Sequence, residues 1–408
     1  MINQLIQNGA NIPNPESIEI GSEVNLDQIN PEGLTIHSGC KIFGKLTHIM
    51  QDVTLGYEGP ATINSCYIGP QVSLNGGFFK ESVFLKKSSM GSGSHVRQGT
   101  ILEEEASGAH TVGLKQTILF PFVTLGSLIN FCDCLMAGGT NRRNHSEVGS
   151  SYIHFNYTPN QDKATPSIMG DVPKGVMLNQ NPIFLGGQGG IVGPCRFAYG
   201  TVIAAGSIYR KDEFDENKLL VDSGGQRGRL PFDPIVYQAL KRIIVNNTFY
   251  ISNLIALLYW YKYVRSLFIS IDYSKQLHEG LCQTLINSIH ERIKRLKDIK
   301  DKMPNAIAHY QKKFSVSDSD KLFIQKNEFY NNWHQFEDTL NNAMTAFDNC
   351  QMQYSFLNLL SPNTHLPYID AITHLPIDNK QIGTKWLQSI VDQITHQVFS
   401  VLPSFVST

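Results

Sequence analysis

An aliphatic residue followed by glycine and a few polar residues recurs through the first half of the chain. Examples between about Ser17 and Asp212 are Leu55-Gly56 and Leu125-Gly126. An aliphatic or small residue comes about every six positions, which fits neither an amphipathic helix nor an alternating hairpin. A spacing of six residues is expected when short strands form the sides of a triangular coil and each strand has one inward side chain. Glycine and asparagine suit the turns between the sides, because they adopt conformations that branched residues resist.

Hexapeptide repeats of this kind resemble the left-handed parallel β-helix family. We therefore expect a mainly β, left-handed parallel β-helix over residues 1–214, a linker over 215–232 and an α-helical domain over 233–408. A β-sandwich with glycine-rich turns is the alternative, but sandwich strands should alternate over longer runs. Three segments break the six-residue step and are expected to project as loops that can carry function: 103–116, 156–167 and 184–193.

After the linker the hydrophobic pattern becomes helical. Asp233 followed by Pro234 has the form of an N-cap and a first helical residue. Residues 235–268 are apolar and aromatic, and residues 277–303 carry aliphatic side chains at helical spacing. A third helical pattern runs over about 319–350. The second half is therefore expected to be a helical bundle.

Composition and charge narrow the functional classes. The 34 basic and 35 acidic residues nearly cancel, and no long basic run occurs, which argues against nucleic acid or an anionic membrane surface as partner. The N-terminal sequence lacks the features of a secretory signal, and the seven cysteines form no CxxC pair, so we expect a cytoplasmic protein with reduced thiols. The most apolar window, Leu254–Ile269, is shorter than the roughly 18–20 residues of a membrane span.

Residues 138–167 concentrate hydrogen-bonding side chains in a chain that needs only aliphatic and turn residues to fold as a β-helix. Acyl transfer needs a base, donors for an oxyanion and cations for a phosphate. The run Arg142–Glu147 offers all three types. His145 is the first candidate for the base, because imidazole titrates near neutral pH, and Ser146 or Glu147 could orient it.

Other residues of this segment extend the candidate site. His154 is the second candidate for the base, and Arg142, Arg143 and Asn144 are candidates for binding a substrate, with at least one arginine on a phosphate. Each residue also has a structural interpretation. A histidine in a polar loop is usually a hydrogen-bonded surface residue, and paired arginines can simply solvate a turn.

The run HFNYTPNQDKATPSIMGD, followed by GTVIAAGSIYRKD, resembles the acetyltransferase half of the bifunctional bacterial UDP-N-acetylglucosamine pyrophosphorylase/glucosamine-1-phosphate N-acetyltransferase family. The resemblance covers about residues 80–212. It implies acetyl-CoA as the acyl donor, an amino sugar or sugar nucleotide of cell envelope biosynthesis as the acceptor, and no metal for the acyl transfer. It also implies a homotrimer with active sites between adjacent prisms.

The same resemblance implies roles for individual residues. Asn156 and Tyr157 match a pair that contacts acetyl-CoA and the surroundings of the substrate. Lys163 falls where a loop lysine holds the sugar phosphate. Ala204 and Ala205 match small residues against which the pantetheine arm lies.

Two features of the family are missing. Asp133 is the residue nearest to the position of the family's histidine base, and the glycine-rich signature of the nucleotidyltransferase half is absent. A non-catalytic protein that binds a sugar nucleotide, or a scaffold, therefore stays open as an alternative, with the helical half binding a partner.

Overall fold

The structure is a computed structural model that describes residues 1–156, 158–221, 232–317 and 319–406. Its first half is a parallel β-helix, as the six-residue step predicts. Each coil contributes short strands to three faces, which we call faces I, II and III in the order in which a coil passes through them. Within a face, each strand pairs in parallel with the strands of the coils before and after it, except at the two ends of the prism, where it has one neighbour.

The strands of the three faces have the following bounds. Face I contains β1 Glu19–Ile20, β3 Lys41–Phe43, β6 Ala61–Asn64, β9 Gly77–Lys80, β12 Ser94–Val96, β15 Gly113–Leu119, β17 Asn130–Met136, β21 Ile153–Phe155, β24 Gly190–Val192 and β27 Ile208–Tyr209. Face II contains β4 His48–Ile49, β7 Tyr67–Ile68, β10 Ser82–Phe84, β13 Thr100–Leu102, the second halves of β15 and β17, β22 Ser167–Met169 and β25 Arg196–Phe197. Face III contains β2 Thr35–Ile36, β5 Thr54–Leu55, β8 Ser73–Leu74, β11 Ser89–Met90, β14 Ser107–Gly108, β16 Thr124–Leu125, β20 Glu147–Val148, β23 Phe184–Leu185, β26 Val202–Ile203 and β28 Leu219–Leu220.

Inward side chains from the three faces fill the axis of the prism. On face III, Leu74, Met90 and Leu125 are fully buried in one column. Gly108 lies between the last two, and a Cβ at this position would come within 2.8 Å of the Met90 side-chain methyl group. The flexible methionine side chain therefore fills the space that the glycine leaves, and the column stays closed.

Insertions leave the prism only at its corners. A hairpin of β18 Gly139–Asn141 and β19 Asn144–His145 lies between faces II and III, and residues 158–166 belong to a loop between faces I and II. The expected loops at 103–116 and 184–193 were wrong predictions, because β14, β23 and β24 pair in register with their neighbours. In the coil of β14, Gly108 replaces the aliphatic residue without lengthening the coil. In the coil of β23 and β24, Leu185 and Ile191 still fill the buried positions.

The helices have the following bounds: α1 Ile2–Gln7, α2 Val172–Gly175, α3 Leu240–Tyr263, α4 Lys275–Lys313, α5 Lys321–Asn331, α6 Trp333–Ala346, α7 Gln351–Leu360, α8 Tyr368–Thr373 and α9 Ile377–Val401. Asp233 caps a helix as predicted, although it is a short 3-10 helix, Pro234–Val236. The last strand of the prism, β28, lies inside the predicted linker, and residues 222–231 of that linker are outside the described residues.

Helix α3 is the centre of the helical half and packs against α4 and α9. Within the described residues, Leu240–Phe268 is the helical stretch long and apolar enough to cross a membrane. Its most apolar window is 83% buried inside the protein, as in a core helix.

Helix α4 runs along the corner between faces I and II. Gly280 lies against the Tyr67 ring, and Arg292 pairs with Asp133. The helix rises ~18 Å between these two contacts. The prism rises by four coil-to-coil steps over the same interval, or ~19 Å. The two lengths agree, so α4 lies parallel to the prism axis and contacts β7, β10 and β13 of face II.

A buried polar contact joins α3 to the prism. Tyr261 donates a hydrogen bond to Glu103, and the Arg265 guanidinium pairs with Glu104. The same guanidinium lies 3.8 Å from the centre of the Tyr368 ring. Burial, followed by the charge of Glu104, raises the pKa of Glu103 to about 7.

This shift makes the stability of the contact between α3 and the prism depend on pH. The folded-state pKa of Glu103 lies above its unfolded value, so its stabilising contribution is complete below about pH 4.5 and is lost as the pH rises through about 7. We expect Glu103→Gln to match the wild type near pH 5. At pH 8 its free energy of unfolding should be higher than that of the wild type by about 1–3 kcal/mol. Denaturant unfolding at both pH values measures this.

The exposed Glu32→Gln variant is the control and should follow the wild type at both pH values. The same pH dependence in the wild type and in Glu103→Gln would contradict a titrating Glu103.

Candidate functional site

The predicted site residues lie at different corners of the prism. The hairpin between faces II and III carries Arg142, Arg143, Asn144 and His145, and Glu147 is exposed on β20 of face III. Asn156 and Lys163 lie at the corner between faces I and II, whereas Ala204 and Ala205 follow β26 at the corner between faces III and I. One coil visits all three corners, so residues close in sequence can face in different directions. Within one chain, Arg142 and His145 are therefore not brought together with Asn156 and Lys163.

One of the two arginines of the hairpin, Arg142, has a structural role in this arrangement. Arg142 Nη1 donates to the carbonyl oxygens of Phe122 at 2.9 Å and of Glu105 at 3.1 Å. These carbonyls belong to two successive coils, so Arg142 ties the hairpin to the corner below it. Arg143 and Asn144 are exposed in the turn.

The two predicted bases differ in environment. His154 is 2% exposed, and its Nε2 lies 2.8 Å from Ser167 Oγ inside the prism. Burial lowers the pKa of His154 to about 4, so its imidazole is neutral and enclosed at neutral pH. His145 is half-buried at the end of the hairpin.

Asp133 is held in a buried ion pair. Its Oδ1 lies 2.8 Å from Arg292 Nη2, and the two side chains are only 3–4% exposed. Asn156 Nδ2 donates to Oδ2 of the same carboxylate at 3.2 Å. Arg292 Nη1 also donates to the Lys163 carbonyl at 3.4 Å. Tyr157, the second member of the predicted pair, lies outside the described residues.

The loop that carries Lys163 is anchored to the helical half at a second point. Lys302 Nζ donates to the Asn160 carbonyl at 2.6 Å and lies 3.1 Å from the Asp162 carboxylate. Asn160 Nδ2 donates to the Pro234 carbonyl at 2.8 Å. Helix α4 therefore fixes this loop against its own prism.

Two cations that we did not predict, Arg97 and Lys115, lie on face I beside the same corner and near the predicted Lys163. Arg97 and Lys115 occupy equivalent positions in consecutive coils. Burial, followed by the charge of Arg97, lowers the pKa of Lys115; the charges of Glu291 and Asp133 oppose this shift, and the charge of Lys163 adds a smaller lowering. In the described parts of the chain, no carboxylate lies within 4.0 Å of these three cations, which we call the cation row. Basic residues one coil apart are the sequence signal that could have revealed it.

A cleft of about 350 Å³ opens between this corner and α4, and we call it the α4 cleft. Its side chains include Tyr67, Gln98 and Gln116 from the prism and Gln283, Asn287 and Glu291 from α4. Gln98 and Gln116 directly follow Arg97 and Lys115, so the cleft adjoins the cation row. Gln116 Oε1 and Arg97 Nε are buried and have no hydrogen-bond partner among the described residues.

The corner between faces III and I carries a histidine and small residues. His110 is exposed, and its Nδ1 lies 2.8 Å from Ser127 Oγ. Ser127 N donates to Ser150 Oγ in the next coil. Further along, a Cβ on Gly186 would lie 2.3 Å from the backbone nitrogen of Ala205, so successive coils touch through backbone here. His110 thus lies at one end of a strip of mostly small residues that leads to Ala204 and Ala205, with the exposed Leu128 in the coil next to it.

Comparisons with known proteins agree with the fold. No protein-family model matches the chain. The chain is 25% identical over 214 residues to proteins named bifunctional protein GlmU from Thermotoga petrophila and Thermotoga maritima. This match covers 52% of the chain and 42% of each relative, so the chain spans less than half the length of these relatives. The similarity and the β-helix together fit hexapeptide-repeat acyltransferases in general.

The buried ion pair predicts a large effect of removing one partner. Arg292→Met leaves the Asp133 carboxylate buried without a counter-charge, so we expect a loss of about 3–5 kcal/mol in the free energy of unfolding. Adding Asp133→Asn should restore part of this loss. Denaturant unfolding of the three proteins measures both effects.

Arg295→Met on the same helix is the matched control. Arg295 is 22% exposed and pairs with Glu291, so its removal should cost about 1 kcal/mol or less. A loss in Arg292→Met no larger than in this control would contradict a structural ion pair.

Proposed function

We propose that the protein is a cytoplasmic hexapeptide-repeat acyltransferase. It moves an acyl group from acetyl-CoA, or another acyl-CoA, to an amino sugar that carries a phosphate or a nucleotide. The observation that supports this proposal most is the cation row, with Arg97 and Lys115 on face I and Lys163 at the corner between faces I and II. The distant similarity to the GlmU proteins supports a transferase of this kind.

The cation row would hold the phosphate of the acceptor. Arginine offers a planar fork of donors to phosphate oxygens, and lysine adds a compact positive charge. Since the three cations have no carboxylate partner of their own, a bound phosphate would neutralise charges that otherwise repel one another.

The strip of small residues that ends at Ala204 and Ala205 would hold the acyl donor. The thioester would then lie near His110, which we propose as the general base. When Nδ1–H donates to Ser127, Nε2 keeps a lone pair that can accept a proton. The carboxyl of Glu58 lies on the same side of the prism, and hydrogen bonds from Ser92, with a smaller effect of the His110 charge, lower its pKa.

The proposed step is a nucleophilic acyl transfer. The amine nitrogen of the acceptor attacks the thioester carbonyl and forms a C–N bond, and Nε2 of His110 takes the proton that the nitrogen loses. The C–S bond then breaks, and the thiolate of coenzyme A leaves and takes up a proton. His145 could act only in a site completed by another chain, because it lies at a different corner.

On the basis of the resemblance, we propose that the protein forms a homotrimer. Helix α4 covers the corner between faces I and II, and α3 and α4 pack on face II. A trimer of this chain would therefore assemble through face I or face III. Its sites between chains would differ from those in a trimer of β-helices without a helical half.

A second candidate function is non-catalytic binding of a sugar nucleotide, with the helical half recruiting a partner. One observation favours it. Asp133 is the residue nearest to the position where the family has its histidine base. It is held in a buried ion pair with Arg292 and is therefore not available as a base. The two functions differ in turnover and not in ligand binding.

The cation row predicts how binding depends on single lysines. We expect Lys115→Met to weaken the binding of glucosamine-1-phosphate about tenfold or more, because a charge-assisted contact to phosphate is lost. Calorimetric titration measures the affinity. Lys80→Met in the neighbouring coil is the control, since Lys80 is 3.4 Å from the carboxylate of Glu81. Equal affinities for the wild type and Lys115→Met would contradict phosphate binding at this row.

The rate of turnover can distinguish His110 from His145 as the general base. We expect His110→Ala to lower the rate of acetyl transfer about a hundredfold or more, which is the usual contribution of a general base. His145→Ala in the neighbouring corner is the comparison and should keep most of the rate. Release of the coenzyme A thiol reports the reaction. Ligand binding without turnover in the wild type would support the binding function instead.

A further inference from the structure

We propose that the acceptor is a nucleotide sugar whose nucleoside occupies the α4 cleft. This inference rests on the proposed function and extends it, since a simple sugar phosphate would need only the cation row. Residues of the helical half would then take part in substrate recognition, in addition to those of the prism.

The position of the cation row between two open regions supports this inference. Lys115 is followed by Gln116, which lines the α4 cleft. In the opposite direction, Gly113 lies two residues before Lys115, ~6.6 Å closer to the corner that carries His110. A diphosphate bound at the row would therefore have one substituent on each side. The amino sugar would extend towards His110, and the nucleoside would enter the cleft.

The charge of the cleft fits a neutral group. Its two carboxylates, Glu81 and Glu291, each have a cation nearby: Lys80 is 3.4 Å from Glu81, and Arg295 is 2.6 Å from Glu291. The cleft is thus close to neutral, whereas the adjoining row is positive. A phosphate is favoured on the row, and the uncharged nucleoside is favoured in the cleft.

The side chains of the cleft also fit a nucleoside. Gln98, Gln116, Gln283 and Asn287 carry side-chain amides, whose carbonyl acceptors and NH₂ donors match those of a nucleobase and the hydroxyls of ribose. Gln283 Nε2 donates to Asn287 Oδ1 at 2.9 Å, so a nucleoside would meet the Gln283 carbonyl and the Asn287 NH₂. Gln116 is 7% exposed, and its Oε1 has no partner among the described residues. A ring N–H would satisfy this buried acceptor.

The size of the cleft agrees with this ligand class. Its volume of about 350 Å³ lies within the range of roughly 300–1,000 Å³ that is typical of small-molecule sites. The Tyr67 ring supplies an apolar surface against which a base can pack.

The test compares two ligands that share the diphosphate, uridine diphosphate and inorganic pyrophosphate, by calorimetric titration of the full chain. We expect uridine diphosphate to bind at least about tenfold more tightly than pyrophosphate. In the double variant Gln283→Ala/Asn287→Ala, both affinities should become similar, with pyrophosphate binding unchanged. Both positions are exposed on α4, so this variant should fold. Lys294→Ala, exposed on the same helix, is the matched control and should bind both ligands as the wild type does.

Two results would overturn the inference. One is equal affinity of the wild type for the two ligands, and the other is unchanged binding of uridine diphosphate by the double variant. Glucosamine-1-phosphate separates this failure from that of the proposed function. If it still binds in a manner that depends on Lys115, the acceptor is a sugar phosphate and only the nucleotide inference is wrong. If none of the three ligands binds, both proposals are wrong.

Discussion

The stacking of one coil on the next constrains the rest of this molecule. Each inward side chain packs on those of neighbouring coils, and each strand is hydrogen-bonded on both sides, so extra residues can leave the prism only at a corner. His154 shows the consequence for function. It lies in a segment rich in polar residues, yet its position on β21 turns it inward, where burial keeps it neutral. Outward positions on a face and loops at corners are where this fold can hold a ligand.

The helical half changes what the prism offers. The Asp133–Arg292 pair is buried, and the benefit of such a pair lies less in net stability than in the cost of separating it. It fixes α4 along one corner, where the helix supplies one wall of the α4 cleft. A prism alone would present a convex corner there. The helical half is therefore part of the candidate site and not an appendage to it.

The spacing of aliphatic residues was enough to predict the β-helix, and the helical periodicity was enough to predict the second half, including the cap at Asp233. The sequence did not show which coils with an irregular pattern still pair in register with their neighbours. Gly108 breaks the aliphatic pattern, but the side chain of Met90 fills the space that it leaves. The grouping of polar residues near His145 wrongly suggested a single site, because residues close in sequence lie at different corners of the prism. Arg97 and Lys115 come together only through the pairing of successive coils, and the contact of Asp133 with α4 joins residues far apart in the chain.

The charges around the cation row favour a ligand over a purely structural role. The nearby carboxylates Asp133 and Glu291 already pair with arginines of α4, Arg292 and Arg295. This pairing leaves the positive potential of Arg97, Lys115 and Lys163 without a counter-charge in contact. Burial, followed by the charge of Arg97, lowers the pKa of Lys115, so holding these cations close together does not favour the folded state. A phosphorylated ligand supplies the missing negative charge, and the same arginines that hold α4 in place keep the row free to bind it.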